Sequence, residues 1–249
     1  MQQKNKIEVC FTPAVFPEFE NPEAIVVIVD ILRATSAICT AFMNDADRII
    51  PVGTLEEALA YKNKGYLVAA ERDGIVRDFA DFGNSPYNFT HEHVAGKEIV
   101  YSTTNGTNCI MIAKNHYKVL IGAYLNISAI TRYVVSQQRD LLILCAGWKN
   151  KFNLEDTLFA GALSEMVLKN NSFFTICDSA LASIDLWNLA KPDLSGYINK
   201  AAQRHRLKKN NLDDVIEYCH TFDQTNIIPV LKDYFLTRLN TPEDNQCAG

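Results

Sequence analysis

Ala24-Ile25-Val26-Val27-Ile28-Val29-Asp30 decides the fold: an unbroken apolar run that ends in a carboxylate. A strand with one wet face alternates apolar and polar residues. A run without alternation is buried on both faces, as in a parallel sheet covered by helices. Residues 34–43 then read as the helix that follows such a strand.

The same rhythm extends outward. Further strands are expected at Arg48–Val52, Tyr66–Ala70, 98–101, 117–122 and 140–146, with Pro51 marking a strand end or an edge. Thr54-Leu55-Glu56-Glu57 is a capping box, and its helix ends at Gly65. Other helices are expected at about 107–115, at 127–137 with Asn126 as cap, and from Leu154 to about Lys169. Glu71 to Pro86 reads as a long polar loop, and Ser85-Pro86 starts a short helix. The last eighty residues are more helical. Asp178 can cap a helix through Lys191, Asn211–Cys219 is amphipathic, and Asn226–Val230 reads as an edge strand. The tail after Leu239 is expected to fray. There is no linker rich in Gly, Ser or Pro and no repeat. The pattern predicts a single α/β domain over 1–249, with a C-terminal subdomain from about 172 as an option. Its architecture is three-layer α/β/α, with an open, mainly parallel sheet and a more helical C-terminal third.

Composition narrows the function classes. The chain has 249 residues, 48% of them hydrophobic and 21% charged, with net charge −5. No long basic block favours nucleic acid, and no apolar run reaches the length of a membrane span. Seven cysteines are scattered without a Cys-x-x-Cys pair. That pattern fits a reducing, cytoplasmic compartment. Oligomeric state is open, a homodimer included.

In open α/β sheets, ligands bind beyond the carboxyl ends of the strands. Asp30, Arg33, Thr35 and Ser36 follow one strand, and Glu71, Arg72 and Asp73 another. Trp148, Lys149, Lys151, Asn153, Glu155 and Asp156 follow the strand at 140–146. Tyr101-Ser102-Thr103-Thr104-Asn105-Gly106-Thr107 runs from a strand into a helix start. Its free amides, hydroxyls and glycine suit an anion. Gly106 is expected to let a ligand approach the backbone. The carboxylates suit Mg²⁺, and arginine suits phosphate. Each residue also has an ordinary role: Asp30 as a turn cap, Arg33 as a surface ion pair, Glu155 and Asp156 as partners of a helix dipole.

Familiar motifs are missing. There is no P-loop, dinucleotide fingerprint or nucleophile elbow. Asp45-Ala46-Asp47 precedes a strand, where a phosphatase aspartyl nucleophile should follow one. Cys145 ends a strand but has Lys151 where a phosphate-binding loop needs arginine. The five histidines form no site.

Together, Val29–Ser36, Glu71-Arg72, Asp81–Pro86, Thr103–Thr107, Cys145–Gly147 and Phe152–Asp156 resemble the 2-phosphosulfolactate phosphatase (ComB-like) family. A weaker echo runs through Asp214–Cys219, Asp223 and Ile228-Pro229-Val230. The resemblance spans about 8–232 in family order. Ala70 and Phe79-Ala80 depart from the family pattern. The resemblance implies a Mg²⁺-dependent hydrolase that releases phosphate from a three-carbon sulfonated hydroxy acid, the sulfolactate-forming step of coenzyme M biosynthesis. Asp30, Arg33, Glu71 and Asp156 become the catalytic candidates. Asp30, Glu71, Glu155 and Asp156 are the metal candidates. Arg33, Thr35, Ser36, Arg72, Asn84, Ser85 and the Thr103, Thr104, Asn105, Gly106, Thr107 loop are the substrate candidates. Ser36, Thr104, Cys145 and water remain alternatives for the nucleophile. The competing reading is a non-catalytic binder of small phosphorylated metabolites.

Overall fold

In this computed structural model, residues 4–19 and 21–239 are described. The expected tail and Cys247 lie outside them. The chain begins with β1 (Asn5–Cys10), β2 (Ile25–Val29), α1 (Ala34–Met43), β3 (Arg48–Pro51), α2 (Leu55–Asn63), β4 (Leu67–Arg72) and β5 (Ile75–Val76). The middle holds α3 (His91–Val94), β6 (Glu98–Ser102), α4 (Gly106–Ala113), β7 (Lys118–Gly122), α5 (Ile127–Gln137), β8 (Leu141–Cys145) and α6 (Leu154–Leu168). Then come β9 (Phe173–Phe174), α7 (Asp178–Ala190), α8 (Leu194–Ile198), α9 (Ala202–Lys209), α10 (Ile216–Cys219), β10 (Pro229–Lys232) and β11 (Phe235–Arg238).

The strands form one sheet in the order β5-β4-β6-β3-β11-β10-β7-β2-β8-β1-β9. Most pairings are parallel, as between β2 and both β7 and β8. All five side chains of β2 are buried, and alternation sorts them by face. Ile25, Val27 and Val29 pack with Ile130 of α5, Leu163 of α6 and Trp187 of α7. Val26 and Ile28 pack with Ile38 of α1 and Ile110 of α4. Full burial of an aliphatic side chain contributes about 1.5–3 kcal/mol, so this strand alone anchors both helical layers. The fold is the expected three-layer α/β/α sheet.

The Thr54–Glu57 capping box forms in both directions, and Gly65 ends that helix region with φ +88°. Three local expectations are corrected. Residues 229–232 lie inside the sheet, not at its edge: β10 and β11 form an antiparallel hairpin inserted between β7 and β3. Pro229 opens that strand, where a missing N–H costs least. Pro51 likewise ends an interior strand. Asn126 does not cap α5 through its side chain; its amide bonds Ile121 and Ile227 carbonyls and the Ala123 N–H. The 71–86 loop contains β5, a short return strand paired with β4. β1 carries no expectation from sequence because its Lys and Glu residues break the apolar pattern, yet it pairs in parallel with β8 and β9. Residues beyond 172 pack into the same core, Trp187, Leu207 and Cys219 among them.

Candidate active site

A small cleft lies over the carboxyl edge of the sheet. Asp30, Arg33, Glu71, Asn84, Thr104 and Asn105 line one part of it, and Trp148 and Gln203 close the other. Wider grooves exist at the opposite edge, around Lys62 and Asp81 and around Lys118 and Arg238. Two ordinary surface pairs lie there, Lys62–Asp81 at 2.6 Å and Arg238–Asp45 at 2.8 Å. The smaller space gathers the candidate residues from the strand ends.

Asp30 follows Val29, so strand alternation turns it toward the α1 and α4 face. Its Oδ1 accepts from the Ala34 N–H at 3.3 Å. Its Oδ2 has no hydrogen-bond partner among the described residues. Burial pushes its acid up to about 6; the Glu71 charge adds to this, while the Ala34 amide and Arg33 oppose it. Arg33 is 4% exposed and lines the cleft, and its guanidinium makes no hydrogen bond or ion pair with the described residues. Asn84 is buried with its Oδ1 unpartnered. Buried polar groups are nearly always hydrogen-bonded, so unspent groups meeting in one cleft mark a place for a ligand.

Glu71 is held differently. Its carboxylate accepts from Thr104 N at 2.7 Å, Gly74 N at 2.6 Å and the Thr104 hydroxyl at 3.1 Å. A side-chain carboxylate therefore takes the Thr104 amide that the sequence reserved for a phosphate. The rest of the 103–107 loop is also engaged. Thr103 Oγ1 accepts from Thr107 N, and the Thr107 hydroxyl donates back to Thr103 O. Asn105 Oδ1 accepts from Lys149 N at 3.2 Å, which ties this loop to the 147–151 turn. A Cβ on Gly106 would lie 2.7 Å from Ala34 Cβ and 3.1 Å from Asp30 Oδ2. Gly106 is thus required by the close approach of α4 to α1 and Asp30.

Several expected site residues turn away. Thr35 Oγ1 accepts from Asp30 N, and the Ser36 hydroxyl donates to Ile31 O. Arg72 lies on the opposite side of β4 from Glu71 and donates to Glu71 O, Gly53 O and Ser102 Oγ. Ser85 is half-buried outside the cleft lining. Asp156 is fully buried: Oδ1 accepts from Ile31 N at 2.9 Å, and Oδ2 accepts from Gly147 N and Asn153 Nδ2. Burial and the charges of Asp30 and Glu155 push its acid well up. Its geometry pins two edge turns together. Glu155 is 1% exposed with Oε2 unpartnered, and burial pushes its acid up to about 7.

The nucleophile alternatives narrow. The Ser36 hydroxyl is spent, Thr104 donates to Glu71, and Cys145 is fully buried with its thiol held protonated by desolvation. Gln203 carried no sequence signal. It sits in a basic helical segment far along the chain, and only tertiary packing brings it to the edge.

Among the described residues, no group of three or more His, Cys, Asp or Glu side chains converges on one point to hold a metal. The expected set of three or four carboxylates is not assembled: Asp156 faces the Ile31 and Gly147 amides and the Asn153 side chain, Glu71 is taken by Gly74 and Thr104, and Glu155 lies outside the cleft lining.

An α/β sheet whose carboxyl edge gathers a buried acid, an unpaired arginine and an unpartnered amide is built for a small anionic ligand. The 2-phosphosulpholactate phosphatase family model matches residues 10–234. A protein of Caldanaerobacter subterraneus subsp. tengcongensis named "Probable 2-phosphosulfolactate phosphatase" is 36% identical over 83% of this chain and 87% of its own. Proteins with the same name from Thermotoga maritima and Gloeobacter violaceus are 35% and 36% identical, over 82% and 90% of this chain and 88% and 94% of theirs. The chain belongs to the 2-phosphosulfolactate phosphatase family and is an enzyme of the phosphoric monoester hydrolase class. The binder alternative gives way to an enzyme. No described helix is long and apolar enough to cross a membrane.

Proposed function

We propose that this enzyme hydrolyses a small phosphorylated hydroxy acid, 2-phosphosulfolactate, to sulfolactate and phosphate, with Mg²⁺ as cofactor and in the cytoplasm. One observation carries the reading: Arg33, buried and unpaired, faces the same cleft as the free oxygen of Asp30 and the unpartnered Asn84. A planar guanidinium without an internal partner suits phosphate oxygens, which accept two parallel N–H bonds.

The residues fit Mg²⁺ in one way only. Mg²⁺ uses one or two protein carboxylates and fills its shell with waters and substrate phosphate. Asp30 has one oxygen to give, and Glu71, across the cleft, raises its pKa. A bound cation supplies charge neutralisation for the phosphate and its leaving oxygen. Glu71 braces the hairpin and the Thr104 loop around this place. Asp156 sets the turn that carries Asp30 through the Ile31 amide. With Ser36, Thr104 and Cys145 withdrawn, water is the attacking group. Arg33 then binds and orients the phosphate against that water.

Phosphate release from a panel of phosphorylated hydroxy acids tests the reading. The expected outcome is highest kcat/KM on the sulfonated ester, loss after chelation and recovery with Mg²⁺. Full activity after exhaustive chelation removes the metal from the proposal. No phosphate release from any member removes the substrate class.

A further inference from the structure

A substrate with a phosphate and a second strong acid needs a second cation near Arg33. Two other cations near the cleft are committed. Arg72 is spent on carbonyl and hydroxyl oxygens, and Lys149 pairs with Asp73 at 2.7 Å. Arg206 of α9 is different. Gln203 Nε2 donates to Leu32 O at 3.0 Å, which docks α9 beside Arg33. Gln203 Oε1 accepts from Arg206 Nε at 2.6 Å. The Arg206 guanidinium carbon lies 4.4 Å from the centre of the Trp148 ring. Both partners of Arg206, Gln203 and Trp148, line the cleft. The guanidinium is therefore held by one nitrogen and one face. Its terminal nitrogens make no hydrogen bond or ion pair with the described residues.

Arg206 is half-buried and lies beside the cleft lining rather than in it, and unlike Arg72 it spends no terminal nitrogen on a carbonyl or hydroxyl oxygen. Glu155 is the acid that acts on Arg206, yet no ion pair within 4.0 Å joins them. A planar cation fixed in advance loses little freedom when an anion docks, so its contact favours binding more than a mobile lysine would.

We infer that Arg206 is the specificity-determining residue for the sulfonate of the substrate, a few bonds from the phosphoester. Arg33 takes the phosphate and Arg206 the remote acid, with Trp148 as the apolar wall beside the short carbon chain. This inference rests on the hydrolase reading of the same cleft. It adds which residue tells a sulfonated ester from its sulfonate-free analogue.

The test compares wild type with Arg206→Gln and Arg206→Lys on two esters, 2-phosphosulfolactate and 2-phospholactate, which lacks the sulfonate. Arg206→Gln is expected to lose about ten- to a hundredfold in kcat/KM on the sulfonated ester, mostly through KM, the scale of one charge-assisted hydrogen bond. Turnover of phospholactate should stay within about threefold, because its missing group is the one Arg206 reads. Arg206→Lys, which keeps charge and fold but not the fork, should fall between. Equal losses on both esters, or none, overturn the inference. If wild type hydrolyses neither ester, the hydrolase reading fails separately. Calorimetry with sulfolactate and lactate then decides Arg206 alone: a wild-type preference for sulfolactate that Arg206→Gln abolishes supports it, and no such preference overturns it.

Discussion

Two acidic turns at the same sheet edge have opposite fates. At the end of β2, Asp30 spends one oxygen on the Ala34 amide and leaves the other open to the cleft. At the start of α6, Asp156 spends both oxygens on Ile31, Gly147 and Asn153. Both residues are buried, both are pushed toward protonation, and both follow strands of one sheet. Burial and position therefore do not separate a reacting carboxylate from a bracing one. In the proposed assignment, an unspent oxygen that opens on the cleft does: Asp30 has one, and Glu155, unpartnered but outside the cleft lining, does not.

The strongest way to break that distinction is to neutralise each acid. Asp30→Asn should cost about a thousandfold or more in kcat/KM, the scale of removing a directly acting charged group. Its unfolding midpoint should hold or rise, because a buried charge is lost. Asp156→Asn should show the reverse balance. Its NH₂ must face a backbone N–H donor, which costs about 1–3 kcal/mol of stability. Its activity should fall less than that of Asp30→Asn. Urea titrations and initial rates on both variants decide the matter. Matching profiles would erase the division of roles.

The fold was legible because it rests on local pattern. The unbroken run at 24–29, the capping box at Thr54 and the alternation of β and α needed no tertiary knowledge. The candidate site was legible by address only. Asp30, Arg33 and Glu71 follow from the convergence of strand ends and Asn84 from the family resemblance, and the structure places all four in the cleft lining. Which oxygens and nitrogens were already taken was invisible. That is why Thr35, Ser36, Arg72 and Thr103 are indistinguishable from the cleft residues in sequence, and why Gln203, from a distant helix, carries no signal there.

Gly106 shows the same limit. In sequence it read as room for a ligand; in space it is room for α1. Gly106→Val should therefore destabilise the fold by about 3 kcal/mol or more, since overpacking a site already at 2.7 Å forces the helices apart. Activity per folded molecule should drop too, because Ala34 and Asp30 move with them. A variant with wild-type unfolding and impaired phosphate affinity alone would restore the ligand-approach reading.

The smallest expected effect sharpens the comparison from the side of Glu155, neighbour of Asp156 on α6. It is buried, one oxygen is unpartnered, and burial raises its acid from 4.5 to about 7. A group that holds its proton more tightly in the folded state makes the fold less stable as pH rises from the unfolded pKa to the folded one. The loss accumulates between about pH 4.5 and 7 and persists above it. The full shift sets a ceiling of about 3 kcal/mol, and relaxation around the charge lowers the expected loss to about 1–2 kcal/mol. Glu155→Gln cannot ionise and matches the shape. Without added metal it should leave the midpoint near wild type at pH 5 and raise it at pH 8, flattening the pH dependence. Urea midpoints at those two pH values measure it. An unchanged slope would show that Glu155 is not the destabilising acid. A loss of Mg²⁺-dependent turnover beyond tenfold would move Glu155 from the bracing region into the reacting one.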